Sequence, residues 1–244
     1  DVSDDGLTYT FHLRDGLKWS DGSDFTAEDF VYSWKRLADP MTAAPYAADM
    51  LSMVKGYDEA AAGDIDALGV SAPDAKTLVV ELSNPCVYFD KIITHASMAP
   101  VKKDVVDANG DQWALAPETY ISNGPLKMIE WVPGSHMTFA KNENYWNADK
   151  VTLNSLKFVL MEDSNAAYSA YQTGEVQMIK DIPTEEIPSL QDSPDYHLDP
   201  RLATSYTIFN TQKAPFDDAK VRMALSLAVD REYVANTLMI GTVA

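Results

Sequence analysis

Histidine is the first residue type to weigh, because a neutral imidazole can bind zinc, relay a proton or activate a serine. The chain has four, His12, His95, His136 and His197. None stands three or four residues from another, so the spacing that holds zinc on one helix face is absent, and each reads as an isolated or locally satisfied histidine. Ser135 precedes His136, but adjacent residues rarely make a nucleophile and its base, and Gly134-Ser135-His136 reads as a hairpin turn. Asp15, Asp21 and Asp24 offer hard oxygen ligands, yet their spacing misses the calcium-loop ladder and no Glu closes it. Turn-forming aspartates fit them better. Glu185-Glu186 is the nearest approach to paired carboxylates and falls in a segment that reads as a short surface helix. Cys86, the only cysteine, excludes an internal disulfide and reads as a buried structural thiol. No GxSxG, GxxxxGK[ST] or GxGxxG occurs. These residues imply no catalytic set, no metal site and no cofactor, and the chain does not read as an enzyme.

The elements that must position any site follow from periodicity. Tyr9, Phe11 and Leu13 alternate with polar residues, the period of a half-buried strand. A charged turn, a second short strand and an Asp21-Gly22 turn follow. Thr26 stands three residues before Asp29, a capping-box start for a helix carrying Phe30, Val31, Trp34 and Leu37 on one face. Helical spacing resumes over residues 50–62, residues 63–74 read as a loop, and 77–82 form a β-branched strand. Short helices are predicted over 87–94 and 104–110. A hairpin spans 126–131 and 136–141 around Pro133-Gly134, and a further strand covers 156–160. A helix over 164–173 ends on Gly174, strands cover 176–179 and 206–209, and a short helix lies between them over 184–190. The last segments are a helix over 215–229, with Val221, Leu225 and Ala228 on one face and Asp217 and Asp218 at its start, and a helix capped by Asp230. Trp19, Trp34 and Trp146 read as core packing. Strands and helices alternate without a regular βαβ rhythm, so the fold class is mixed α/β with partly antiparallel sheets.

Bulk composition narrows function. At 244 residues and 46% hydrophobic content the chain can bury a substantial core. A net charge of −18 repels phosphate backbones and anionic bilayers, so nucleic acid is excluded as a partner. No apolar run is long enough to span a membrane. Neither a signal peptide at Asp1 nor a closing element at Ala244 is evident; both ends look cut, as in part of a longer chain.

The segment FHLRDGLKWSDGSDFTAEDFVYSWKRLADP (residues 11–40) closely resembles the peptide/nickel/dipeptide class of extracytoplasmic solute-binding proteins, the receptors of ATP-driven importers. Further blocks follow in the same order: SNGPLKMIEW (122–131), KNENYWN (141–147), TGEVQM (173–178) and FNTQKAPFDDAKVRMALSLAVDR (209–231). Ala38-Asp39-Pro40 and Thr42-Ala43-Ala44-Pro45-Tyr46 are most similar to the oligopeptide-binding branch. The resemblance implies periplasmic-binding-protein-like type II lobes, truncated here. Residues 1–102 would be a small lobe, 103–207 part of a second, and 208–244 the opening of a third that closes over a peptide. It also implies an oligopeptide ligand, a membrane permease of an ABC importer as partner, and an extracytoplasmic location, with a lipid anchor if the organism is Gram-positive. Tyr46 corresponds to a ligand-touching tyrosine, and Tyr206 falls where the family has another cleft-facing aromatic, with Thr204 beside it. Lys180 and Asp181 replace an aromatic and an amide, Arg201 replaces a tyrosine, and Ile208 replaces an acidic pocket residue. Those departures leave open a dipeptide, nickel chelate, sugar or haem as ligand on the same fold.

Overall fold

The computed structural model describes residues 1–199 and 203–240, which form two compact units, Asp1–Leu160 and Met161–Ala244. In the first unit, β1 (Thr8–His12) leads to α1 (Ala27–Ala38), and α2 (Ala47–Leu51) and α3 (Tyr57–Ala61) follow. Next come β2 (Val70–Asp74), β3 (Thr77–Glu81), α4 (Phe89–Ile92) and α5 (Lys103–Asn109). The unit closes on β4 (Leu126–Val132), β5 (His136–Lys141) and β6 (Ser155–Val159). Two three-stranded sheets result, ordered β1-β3-β2 and β4-β5-β6, and every pairing in them is antiparallel.

Local chemistry starts α1 as expected. The Thr26 N–H donates to the Asp29 carboxylate at 2.7 Å, satisfying a donor that the helix cannot. Val31, Trp34 and Leu37 then face the first sheet and are buried. Aromatic rings continue this packing in a chain: Tyr9 meets Phe89 edge-on at 5.0 Å, and Phe89 meets Trp34 at 6.4 Å. Trp34 meets Phe30 at 6.1 Å, Phe30 meets Phe25 at 5.4 Å, and Phe25 meets Trp19 at 5.0 Å. Edge-to-face geometry places the positive ring edge on the negative face, so each contact adds about 0.5–1.5 kcal/mol to simple burial. The Cys86 thiol is buried in this core, and the Cys86 carbonyl accepts from the Tyr9 hydroxyl at 2.8 Å.

In the second sheet Met128, Phe139 and Leu156 lie opposite one another across three strands, as do Trp131, Met137 and Phe158. Cross-strand partners share a face, which makes this the apolar side, with Glu130, Thr138 and Lys157 on the other. In the second unit α6 (Ser164–Gln172) is capped by Asp163, whose carboxylate accepts from Ala166 N at 2.8 Å, and Gly174 follows it with φ 77°. Then come α7 (Ile187–Leu190), α8 (Ala219–Ala228) and α9 (Arg231–Tyr233), the last continued by a π turn over Val234–Leu238. Asp218 and Asp230 cap α8 and α9 through Lys220 N at 2.7 Å and Tyr233 N at 2.9 Å.

Several expectations are corrected. The second short strand near Trp19 is a single bridge, Lys18↔Asp24, because the Asp21-Gly22 turn closes before a ladder can extend. The predicted helix over 50–62 is divided: α2 ends at Leu51, Lys55 bonds Glu81 and Gly69 in between, and α3 starts after Gly56, whose φ is 75°. Residues 70–74, expected as loop, form the edge strand β2; Pro73 is tolerated at an edge because no further partner needs its missing N–H. Residues 176–179 and 206–209 are not strands. Their β-branched composition suits a sheet, but among the described residues the second unit contains no strand to pair with them. The helix expected from Pro215 starts at Ala219, since the preceding residues turn, with Phe216 N bonding Lys213 O at 2.9 Å. Leu225 and Ala228 stay exposed on it.

Candidate functional site

Three of the blocks that carry the resemblance meet in one knot within the first unit. Ser20 N donates to Ser122 O at 2.6 Å, Ser122 N returns a bond to Ser20 Oγ at 3.1 Å, and Asn144 Nδ2 donates to Ser20 O at 3.2 Å. Asn142 is fully buried, donating to Gly124 O at 2.8 Å and accepting from Asn144 N at 3.0 Å. Among the described residues no buried side-chain polar atom lacks a partner, so these bonds serve to tie the Asp21-Gly22 turn to the second sheet. Lys102 reinforces it through ion pairs with Asp21 and, at 3.4 Å, with Asp104.

A concavity of about 390 Å³ opens beside this knot, lined by Trp19, Asp24, Asp29, Lys102, Lys103 and Asp107 among others. Burial raises the Asp29 carboxyl above its ordinary range against the bonds from Thr26 that lower it. Lys103 pairs with Asp107 and Lys18 with Asp24, so the charges here are largely neutralised in place. Among the described residues no group of His, Cys, Asp and Glu could hold a metal ion. A second concavity of about 270 Å³ contains Phe25, Phe30, Tyr145 and Trp146, with the Arg14 guanidinium 4.1 Å over the Trp146 ring. Trp146 is therefore not a core residue: it is 49% exposed and stacks a cation, which suits the electron-rich ring face.

The Lys102 pair yields a pH prediction. Burial works to raise Asp21, but bonds from Lys102 and Ser23 outweigh it and hold the carboxyl below its usual range. Burial works to lower Lys102, and the acidic partners outweigh it and raise the amine. A depressed carboxylate stabilises the fold above its unfolded pKa and loses that contribution as pH falls through its folded value. A raised amine stabilises below its unfolded pKa and loses the contribution as pH rises through its folded value. Lys102→Met should cost about 1 kcal/mol at neutral pH, with the difference from wild type shrinking as pH falls below the ordinary Asp range and through the lower folded value of Asp21. Urea titrations at pH 7 and pH 2.5 check this; an equal gap at both would remove the pair as its cause.

Ser135, His136 and Glu130 do form a relay: Ser135 Oγ lies 2.9 Å from His136 Nδ1, and His136 Nε2 lies 3.1 Å from Glu130 Oε2. Thr138 Oγ1 donates to the same carboxylate oxygen at 3.0 Å. The relay sits at a hairpin tip outside both concavities, and the Ser135 N–H is spent on Val132 O at 3.0 Å.

Of the residues expected to touch ligand, Tyr46 belongs to the first unit. It stands at the N-cap position of α2 without a side-chain cap bond, and the residue is 51% exposed. It follows a 3₁₀ turn over Pro40–Thr42 whose start is fixed by Asp39, the carboxylate accepting from Met41 N at 2.8 Å. The Tyr46 ring meets His95, centroids 5.1 Å apart. The sequence offered no sign of that contact, because the two residues come from segments far apart in the chain. Lys180, Asp181, Thr204, Tyr206 and Ile208 belong to the second unit and are all exposed. Their side chains make no hydrogen bond or ion pair among the described residues. Arg201 lies outside the described residues.

Comparison with known proteins adds three relatives. The periplasmic oligopeptide-binding protein OppA of Salmonella typhimurium is 40% identical over 243 residues, 95% of this chain and 44% of the relative. The probable deoxycholate-binding periplasmic protein YgiS of Escherichia coli is 36% identical over 244 residues, 98% of this chain and 45% of the relative. The crystal structure of Haemophilus influenzae OppA in complex with RPPGFSPFR superposes with a TM-score of 0.85 at 34% identity, covering 99% of this chain and 48% of that one. The chain thus spans a little under half the length of the relatives it matches. The model of the bacterial extracellular solute-binding proteins, family 5 (middle region), matches residues 1–244. With that match running the length of the chain and its fold shared with a peptide-bound relative, the protein belongs to the bacterial extracellular solute-binding proteins of family 5.

Proposed function

We propose that this chain is part of a receptor that captures oligopeptides outside the cytoplasm and delivers them to the membrane permease of an ABC importer, with no chemistry of its own. The observation that carries this reading is the end-to-end likeness to OppA proteins, one of them solved with a peptide bound. Tyr46 would supply an apolar ring and a hydroxyl to the ligand from the first unit. Lys180, Asp181, Arg201, Thr204, Tyr206 and Ile208 would contribute from the second, setting side-chain preference and not backbone affinity. The division into lobes over 1–102, 103–207 and 208–244 belongs to the same proposal, as does anchoring by lipid in a Gram-positive host. No helix among the described residues is long and apolar enough to cross a membrane.

A second reading keeps the fold and changes the ligand to a non-peptide molecule. The likeness to YgiS, named as a probable deoxycholate binder, favours it. Both are tested by purifying the full-length gene product under native conditions, denaturing it, and weighing what it releases by mass spectrometry. A mixed population of short peptides is the expected result. A single non-peptide species would transfer the proposal to the second reading.

A further inference from the structure

We propose that Asn123 is a site of spontaneous deamidation, and that its isoaspartyl product loosens the knot around Ser20, Ser122 and Asn142. The chain contains two Asn-Gly pairs, Asn109-Gly110 and Asn123-Gly124, in which a residue without a side chain leaves the reacting nitrogen unshielded. Sequence treats the two pairs alike, and the structure does not. At the end of α5, Asn109 Nδ2 donates to Val105 O at 2.8 Å, and Gly110 N donates to Val106 O. Both reacting groups of that pair are committed to the preceding helical turn. Asn123 and Gly124 lie in the loop ahead of β4. There neither the Asn123 side chain nor Gly124 N has a hydrogen-bond partner among the described residues. The place that a Gly124 Cβ would take is open, with no atom beyond the chain neighbours within 4 Å.

The reaction needs only water. Gly124 N gives up its proton and attacks Asn123 Cγ. The new C–N bond closes a succinimide, and the bond from Cγ to Nδ2 breaks as ammonia leaves with that proton. Water then opens the ring. Cleavage at the side-chain carbonyl gives aspartate, and cleavage at the main-chain carbonyl gives isoaspartate, whose backbone runs through Cβ and is longer by about 1.5 Å. That extra length falls between fixed points. Ser122 O accepts from Ser20 N at 2.6 Å, and Ser122 N donates to Ser20 Oγ at 3.1 Å. Beyond the site, Gly124 O accepts from the buried Asn142 Nδ2 at 2.8 Å, and Pro125 O accepts from Asn142 N at 3.0 Å. Hydrogen bonds weaken steeply with misalignment, so clamps set for an ordinary peptide link do not all hold around a longer one. Either product also sets a carboxylate in the concavity that Asn123 lines together with Arg14.

The test is peptide mapping by mass spectrometry of the full-length gene product, incubated in mildly alkaline buffer both folded and in urea. In the folded protein, acid should accumulate at Asn123 at least about tenfold faster than at Asn109, the factor that two committed hydrogen bonds supply. In urea the two rates should converge to within about threefold, because only the fold separates them. Gly124→Ala should slow the Asn123 reaction in both samples, and the open space at that position lets the variant fold. Folded protein in which Asn109 reacts as fast as Asn123 overturns the inference, as does a tenfold bias that persists in urea. The isoaspartyl form, separated by chromatography, should melt below the unmodified protein. Asn123→Asp, which adds the charge without the longer backbone, should melt with wild type. Equal melting of the isoaspartyl form and Asn123→Asp would overturn the loosening of the knot.

Discussion

Gly56→Ala should destabilise the first unit by more than about 3 kcal/mol, a large fraction of the about 5–15 kcal/mol that ordinarily keeps a domain folded. A Cβ at this position would lie 1.9 Å from the Ala67 carbonyl oxygen and 2.7 Å from its carbon, both backbone atoms that cannot rotate aside. The residue also holds φ 75°, which charges any L side chain a further penalty of about 1–2 kcal/mol. Relief would require moving the 65–69 segment. That segment is bound on its far side: Gly69 N bonds Lys55 O at 2.7 Å and Glu81 N bonds Gly69 O at 2.8 Å. Movement would therefore pull on the bridge between Val54 and Leu82, two buried residues. Gly63→Ala separates the two costs, since Gly63 has φ 112° but open space around its missing Cβ. It should lose only the conformational part, about 1–2 kcal/mol. Urea denaturation followed by tryptophan fluorescence reads this cleanly, because all five tryptophans lie in the first unit. Equal midpoints for the two variants would remove the steric account of Gly56.

Trp34→Ala carries the next largest expected effect, about 3–5 kcal/mol. The side chain is 2% exposed and stands at the middle of the aromatic chain, between Phe30 and Phe89, so its removal opens a cavity that two ring contacts cannot bridge. Its indole N–H also holds the Met98 carbonyl at 3.0 Å. Trp34→Phe divides the loss: most of the ring stays and the hydrogen bond goes, for an expected cost of about 1–2 kcal/mol. Because the Met98 turn carries His95, this milder variant should also loosen the Tyr46–His95 contact. Hydrogen exchange at Met98 N would register that loosening as faster exchange than the rest of the core. Unchanged exchange in Trp34→Phe would show that the turn is held by its own backbone bonds alone.

What the sequence determined by itself was the set of features closed by neighbours along the chain. The Thr26 capping box, the Asp21-Gly22 turn, the hairpin around Pro133-Gly134 and the Gly174 helix end each need only a few consecutive residues. Their hydrogen bonds form wherever the rest of the chain goes. The family was legible for a related reason, since its blocks are runs of consecutive residues, and three of them form the knot around Ser20, Ser122 and Asn142. Tertiary structure decided whatever needs a distant partner. Residues 70–74 became a strand despite Pro73 because β3 was there to receive them, while 176–179 and 206–209 found no such partner. Trp146 left the core for Arg14, Gly56 turned to clear Ala67, and His95 met Tyr46. Each of these depends on chain closure over many residues, and a periodic pattern holds no information about which segment arrives at the other side.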